Sequence, residues 1–386
     1  MAARQAPGNL DAVWKIVSAA GLLVVVTGWL PAGKAFEVGV TRAVPILGFL
    51  IAVTVLAELA EAAGVFDAAA TWCARLGRGS TPLLFGLVAV LATATTIGMS
   101  LDTTAVLLTP VVLALTARLD LSPLPFALLV IWLANTASLL LPISNLTNLL
   151  ALQHSRMSTL EFAGRMALPQ LAAVAITVGF LAVLFRRTLT GCYQVPEHTP
   201  PGDRVTFGVS VLACVGFVAA VTAGTAPWLA ATAAAGIVLA VFAVRGRKHL
   251  RWGLFPWRLV LTTEGLFLTV TALVEHGLGE LLTRWAGHSG LGATVLAAGS
   301  ANLVNNLPAY LAMETAIPPG SGDGLFEILL GTNIGPLVTM WGSLATLLWA
   351  DRCRARGITI HPGRFAAIGL AGMPWVLLGA WAALGV

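Results

Sequence analysis

Asn135-Thr-Ala-Ser-Leu-Leu-Leu-Pro-Ile-Ser-Asn-Leu-Thr-Asn-Leu-Leu150 and, 198 positions later, Asn333-Ile-Gly-Pro-Leu-Val-Thr-Met-Trp-Gly-Ser-Leu-Ala-Thr-Leu-Leu348 carry one pattern. Asn135 falls on Asn333, Asn145 on Ser343, Leu146 on Leu344 and Asn148 on Thr346. Each copy sets polar residues with Pro or Gly inside an apolar run. Interruptions at matching places in the two halves of an apolar chain point to discontinuous membrane helices that meet at a solute site.

The rest of the chain supports a bilayer setting. Of its 386 residues 58% are hydrophobic and 10% charged, whereas a soluble domain carries charge on about a quarter of its residues. Apolar windows recur from end to end, so the chain reads as an all-α polytopic membrane protein. The first window, Trp14 to Leu30, lacks a small-residue cleavage site and reads as a retained span. Cys73, Cys192, Cys214 and Cys353 show no CxxC spacing and no partnered histidines, which argues for neither a zinc site nor a disulfide framework. No Walker loop, GxSxG elbow, HExxH helix or dinucleotide fingerprint is present. The chain is therefore read as no enzyme, with no cofactor, and its basic balance needs no nucleic acid to explain it. His154, His276 and His288 sit near span ends and His198, His249 and His361 in loops, as solvated or interfacial side chains. Tryptophans such as Trp14, Trp29, Trp252 and Trp257 suit interfacial anchoring.

Spans are expected at about 14–31, 44–64, 124–151, 166–186, 207–223, 227–244, 259–276, 325–350 and 365–385. Two further windows, 82–117 and 291–317, are broken in the middle by Asp102-Thr-Thr104 and Asn305-Asn-Leu-Pro308. Each is two spans or one re-entrant hairpin, and the charges decide. With two hairpins, seventeen of the 22 Lys and Arg residues, Arg4 among them, fall on one side with the loops near 66–81, 118–123, 187–206, 245–258 and 351–364. Lys34, Arg42, Arg156, Arg165 and Arg284 fall on the other. The positive-inside rule then puts the N-terminus in the cytoplasm and the C-terminus outside, in the plasma membrane. It also makes the halves two inverted-topology repeats, each with a re-entrant hairpin and a discontinuous transmembrane helix. Repeat 1 covers 1–187, with hairpin 82–117 and broken helix 124–151. Residues 188–226 form a cytoplasmic linker and a connecting span. Repeat 2 covers 227–386, with hairpin 291–317 and broken helix 325–350.

Backbone that leaves a helix at membrane depth must be buried in protein or line a wet cavity. Four such breaks are expected to converge, and their polar side chains are the candidate substrate or ion contacts: Thr103, Thr104, Asn135, Ser144, Asn145, Asn148, Asn305, Asn306, Asn333, Thr339, Ser343 and Thr346. Half-helix N-termini with these oxygens and amides suit an oxygen-rich solute or a hydrated cation. Asp102, the acid at the centre of a membrane element, is the candidate proton carrier, since an intramembrane carboxylate is functional by default. Glu58, Glu61, Glu264 and Glu275 lie nearer span ends, in structural roles or on a proton path.

At these motifs, Asp102-Thr-Thr-Ala-Val-Leu-Leu-Thr-Pro110, Ala134 through Asn148, Asn305-Asn-Leu-Pro308 and Trp341-Gly-Ser-Leu-Ala-Thr-Leu-Leu-Trp349, the chain resembles the arsenical pump membrane protein family of the ion transporter superfamily. The resemblance covers both repeats. It implies export of arsenite and antimonite as neutral trihydroxides in exchange for protons, and in some members a cytoplasmic ATPase subunit docked on the carrier. Relatives in the superfamily that move dicarboxylates or exchange sodium for protons carry a Ser-Asn-Thr pattern at their hairpin tips. The positions taken to correspond are Leu101-Asp102-Thr103 and Val304-Asn305-Asn306, where loss of the serine hydroxyl argues against a sodium cage. The expected function is proton-coupled arsenite/antimonite efflux by alternating access. The alternatives are a sodium- or proton-coupled anion carrier or sodium/proton antiporter of the same superfamily, and the membrane subunit of an ATP-driven arsenite pump.

Overall fold

A computed structural model describes residues 9–197, 202–278, 280–281, 290–317 and 322–385; Arg4, His198, Arg284 and His288 lie outside the described residues. The first half builds α1 (Asn9–Val26), α2 (Ala32–Ala62), α3 (Val65–Leu76), α4 (Thr81–Gly98), α5 (Leu101–Arg118), α6 (Pro123–Thr136), α7 (Leu146–Ser155) and α8 (Thr159–Leu184). After α9 (Arg204–Thr222), the second half builds α10 (Pro227–Arg245), α11 (Trp257–Leu273), α12 (Leu291–Val304), α13 (Asn306–Glu314), α14 (Gly322–Ile334), α15 (Leu344–Ala355) and α16 (Pro362–Leu384). Among the described residues eight helices are long and apolar enough to cross a membrane.

Local chemistry starts the helices where the sequence allows. Prolines occupy the first turn of α4, α6, α10 and α16, where their missing N–H has no helical partner to lose. Ser158 and Glu161 close a capping box at the start of α8, and Asp203 accepts from Val205 N and Thr206 N at the start of α9.

The two broken windows are hairpins, α4–α5 and α12–α13, and the two marked stretches are broken helices, α6–α7 and α14–α15. The segment read as a loop near 66–81 instead contains α3. Its Phe66, Ala70, Cys73 and Ala74 are buried while the remaining positions are half-buried or exposed. This amphipathic face is too short to signal a span. Its corner is pinned by the segment after α8: Tyr193 donates its hydroxyl to Ala74 O at 2.6 Å and its N–H to Gly79 O at 2.9 Å. Gly79, at φ +85°, makes the turn that brings the two strands of chain together.

The pairing of helices crosses between the halves. The first helix of each half packs on the second helix of the other, α1 on α11 and α10 on α2. The α1–α11 contact is backbone on backbone: a Cβ on Gly21 would stand 2.6 Å from Gly265 Cα, and one on Gly265 would stand 2.9 Å from Ser18 Cα. The last helices of the halves, α8 and α16, pack on each other. There Gly372 leaves room for Trp132 and Phe180, whose rings stack at 5.4 Å. Between these frames lie α6 and the start of α14, with Leu128, Ile131, Trp132, Leu329 and Leu330 fully buried. This burial on all sides is why their sequence is apolar without periodicity.

Candidate functional site

Each broken helix restarts on a side-chain cap. Asn145 (φ −151°, ψ 146°) accepts from Thr147 N ahead of α7, and Ser343 (φ −141°, ψ 152°) accepts from Thr346 N ahead of α15. These are the residues that the repeat aligns, with the same backbone and the same task. The broken helices then cross. Asn333, ending α14, donates to Asn148 Oδ1 at 2.9 Å at the start of α7. In the symmetric place Asn135, ending α6, lies 3.5 Å from Thr346 Oγ1 at the start of α15. Asn333 Oδ1 also accepts from Asn145 Nδ2 at 3.0 Å and from Thr147 Oγ1 at 2.8 Å. Asn148 Nδ2 donates to Ser138 O at 2.7 Å, satisfying a carbonyl in the break itself.

The unwound backbone is held by two amides that the sequence reading passed over. Gln170 on α8 accepts from Leu139 N and Leu140 N at 2.9 and 3.1 Å and donates to Ala137 O at 2.8 Å. Asn302 on α12 donates to Gly335 O at 2.7 Å and accepts from Thr339 N at 2.9 Å and Thr339 Oγ1 at 2.8 Å. Each is an isolated amide in an apolar helix, which is the signal that could have found it. Ser144 ties the first break to the first hairpin by donating to Ile97 O at 3.1 Å.

The hairpin tips correct the expected register. Ser100 (φ 152°, ψ 168°) and Asn305 (φ 86°, ψ 153°) hold the same task at the two tips, each capping the second limb of its hairpin. Ser100 Oγ accepts from Thr103 N at 3.2 Å and Asn305 Oδ1 from Leu307 N at 3.4 Å. The corresponding triplets are therefore Ser100-Leu101-Asp102 and Asn305-Asn306-Leu307, and one tip retains a serine hydroxyl. Ser100 was missed because a capping role is fixed by backbone angles and not by composition. Both residues sit in a region of backbone space that is nearly reserved for glycine, and such strain gathers at functional sites. Thr103 and Thr104 stay inside the hairpin, where Thr104 Oγ1 meets Thr96 Oγ1 at 2.9 Å.

Around the tips the chain encloses a cavity of about 260 Å³. Asp102, Asn145, Asn305 and Asn306 line it, with Leu101, Leu146, Leu307 and Leu344 as apolar wall and Thr262 and Thr263 of α11 opposite. Of the expected contacts, these four reach the space. Thr103, Thr104, Asn135, Ser144, Asn148, Asn333, Thr339, Ser343 and Thr346 do not line it; they brace the backbone that forms it. Asp102 is half-buried and accepts no hydrogen bond among the described residues. Among the described residues no Lys, Arg, His or Cys contributes to the wall. Among the described residues no group of three His, Cys, Asp or Glu could hold a metal ion.

The model of the citrate transporter family matches residues 11–323. The arsenical pump membrane protein of Yersinia enterocolitica is 32% identical over 352 residues, covering 83% of this chain and 81% of that protein. One from Escherichia coli is 31% identical over 354 residues with the same coverage. The chain belongs to the citrate transporter family and to the arsenical pump membrane proteins. Beyond these family members, a 46 kDa membrane protein of Mycobacterium leprae is 25% identical over 84% of this chain and 82% of its own length. Among solved structures, the Alcanivorax borkumensis YdaH transporter, described as having an unusual topology, superposes with a TM-score of 0.57 at 14% identity. It covers 97% of this chain and 96% of its own, a likeness of fold. As a member of this family the chain is a multi-pass membrane transporter.

Proposed function

We propose that the chain exports arsenite or antimonite as the neutral trihydroxide in exchange for protons, by alternating access, with Asp102 as the proton carrier and Asn145, Asn305 and Asn306 as solute contacts. The observation that carries this reading is the cavity wall, which among the described residues holds one carboxylate, three amides and no cation. A tricarboxylate such as citrate would meet Asp102 with no positive charge to offset the repulsion, which in a low-dielectric site costs several kcal/mol. A neutral trihydroxide both donates and accepts hydrogen bonds, and amides offer both. With no cysteine in the wall, the solute is held through its hydroxyls and not by thiolates. The names borne by relatives at 32% and 31% identity support the same solute. Asn135, Asn148, Asn333, Ser144, Ser343, Thr103, Thr104, Thr339 and Thr346 act in this reading as the brace that keeps the four breaks open.

The organisation follows as part of the proposal: repeat 1 at 1–187, a linker and connecting span at 188–226, repeat 2 at 227–386, in the plasma membrane with the N-terminus cytoplasmic and the C-terminus outside. A cytoplasmic ATPase subunit, where one is present, docks on the basic side. Ser100 at a hairpin tip favours a second reading, a sodium-coupled carrier of the same fold.

The test is arsenite uptake into everted vesicles under an imposed proton gradient without sodium. Wild type accumulates arsenite and Asp102→Asn does not, although it inserts and unfolds as wild type does. Transport that requires sodium, or that the substitution leaves intact, overturns proton coupling through Asp102; absence of arsenite movement under any gradient overturns the solute.

A further inference from the structure

A second cavity, about 620 Å³, lies away from the hairpin tips on the face that gathers the basic loops. Its polar groups come from four separate places: Asp67 in the first turn of α3, Arg118 ending α5, Asp203 ahead of α9, and Arg245, Lys248 and His249 from the end of α10 and the turn after it. That turn is shaped to face the cleft. Gly246 lies so close to Phe242 that a Cβ would stand 2.9 Å from the ring, and His249 packs edge-on to the same ring at 5.6 Å.

The charges in the cleft are not equally free. Arg245 grips Asp203 through two hydrogen bonds of 2.7 and 3.1 Å. This pairing holds the Asp203 carboxyl below the usual carboxylate range, with the Thr206 hydroxyl adding to it. Arg118 gives one donor to Thr71 Oγ1 at 3.1 Å and keeps the others. Lys248 is exposed and, among the described residues, donates to nothing. Among the described residues Asp67 pairs with no cation. A guanidinium fork with spare donors and a free ammonium across a cleft form a recognition pair for phosphate oxygens.

We propose that this cleft binds a phosphate-bearing anion between Arg118 and Lys248, with His249 at its rim and Asp67 holding its affinity down. Arg118 ends the second limb of the first hairpin, whereas Lys248 follows α10, a helix packed on α2. The anion therefore ties the hairpin to the helices that surround it. Two sources share this chemistry, the headgroup of an anionic lipid and a soluble phosphate, and basic pockets between helices on the cytoplasmic side commonly hold headgroups.

The purified full chain in neutral detergent tests the assignment by thermal unfolding at matched ionic strength. Inorganic pyrophosphate and dihexanoyl-phosphatidylglycerol are titrated separately, with dihexanoyl-phosphatidylcholine as the uncharged control. Wild type is expected to show a saturable rise in Tm with at least one anionic probe. Lys248→Gln and Arg118→Gln each weaken the apparent Kd about tenfold, the factor of one charge-assisted contact, and Asp67→Asn tightens it. Lys248→Gln alters an exposed side chain that, among the described residues, has no hydrogen bond or ion pair to lose, so folding does not obscure its result. A rise with pyrophosphate assigns a soluble anion, and a rise with the phosphatidylglycerol alone assigns a lipid headgroup. No saturable rise beyond the control, or an undiminished one in Lys248→Gln, overturns the site.

Discussion

Asn333 is the residue on which the crossing of the broken helices depends. Its carbonyl oxygen receives Asn145 and Thr147 and its amide reaches Asn148, all fully or nearly fully buried. Asn333→Leu keeps the volume but strands Thr147 Oγ1 and Asn148 Oδ1 and leaves Asn145 Nδ2 only its long contact with Ser138 Oγ at 3.5 Å, at about 1–3 kcal/mol for each group left unpaired. Denaturant unfolding should show a loss of several kcal/mol, and a loss under about 1 kcal/mol would mean that water replaces the amide. Asn135, its mate in the repeat, is the weaker partner, because its Oδ1 has no hydrogen-bond partner among the described residues and its contact with Thr346 is long. Asn135→Leu should therefore cost less than Asn333→Leu. That both asparagines matter was legible in the sequence, since the repeat aligns them. That they brace the site instead of touching the solute was not, because alignment gives equivalence and says nothing about which side of a helix faces the cavity.

The hairpins show the same division at the level of elements. The breaks in the apolar windows at 82–117 and 291–317 announced them, and the count of basic residues chose hairpins over extra spans. Their register escaped, because Ser100 and Asn305 are unlike in chemistry and alike in backbone, at φ 152° and 86°. Asn305→Gly should hold stability within about 1 kcal/mol of wild type, because relief of strain offsets the lost cap. Asn305→Val should cost about 1–3 kcal/mol, since a β-branched residue resists that conformation. Equal unfolding of the two variants would show that the cap, and not the backbone, decides. The second hairpin is also seated by small residues: a Cβ on Gly335 would stand 2.7 Å from Ala298 Cα and from its carbonyl oxygen. Gly335→Leu should push α12 off the broken helix, cost about 1–3 kcal/mol or more and lower the flux of the proposed solute in vesicles.

At the scale of the molecule, charge and connectivity hold the frame together. Arg42 in α2 pairs with Glu314 at the end of α13, a carboxylate only 2% exposed, so a scaffold helix clasps the second hairpin. On the basic face Asp203 and Arg245 join α9 to α10, and the Asp203 carboxyl titrates below its usual range because of Arg245 first and Thr206 second. A carboxyl whose folded value is depressed stabilises above its unfolded pKa, about 3.9, and that contribution fades as pH falls through the folded value. Asp203→Asn should accordingly unfold at a lower temperature than wild type at pH 7, by a modest margin for an exposed pair. The two curves should converge only below about pH 4; because asparagine caps a helix as well as aspartate does, a gap that persists in strong acid would show that the charge of Asp203 is not its source. The crossed pairing of α1 with α11 reaches into biosynthesis. Gly21 leaves the ribosome about 240 residues ahead of Gly265, which at about 5–20 residues per second is roughly 12–50 s. For that interval the first helix stands in the bilayer with its small-residue face uncovered, so the nascent first half is an unfinished object that only the second half can complete.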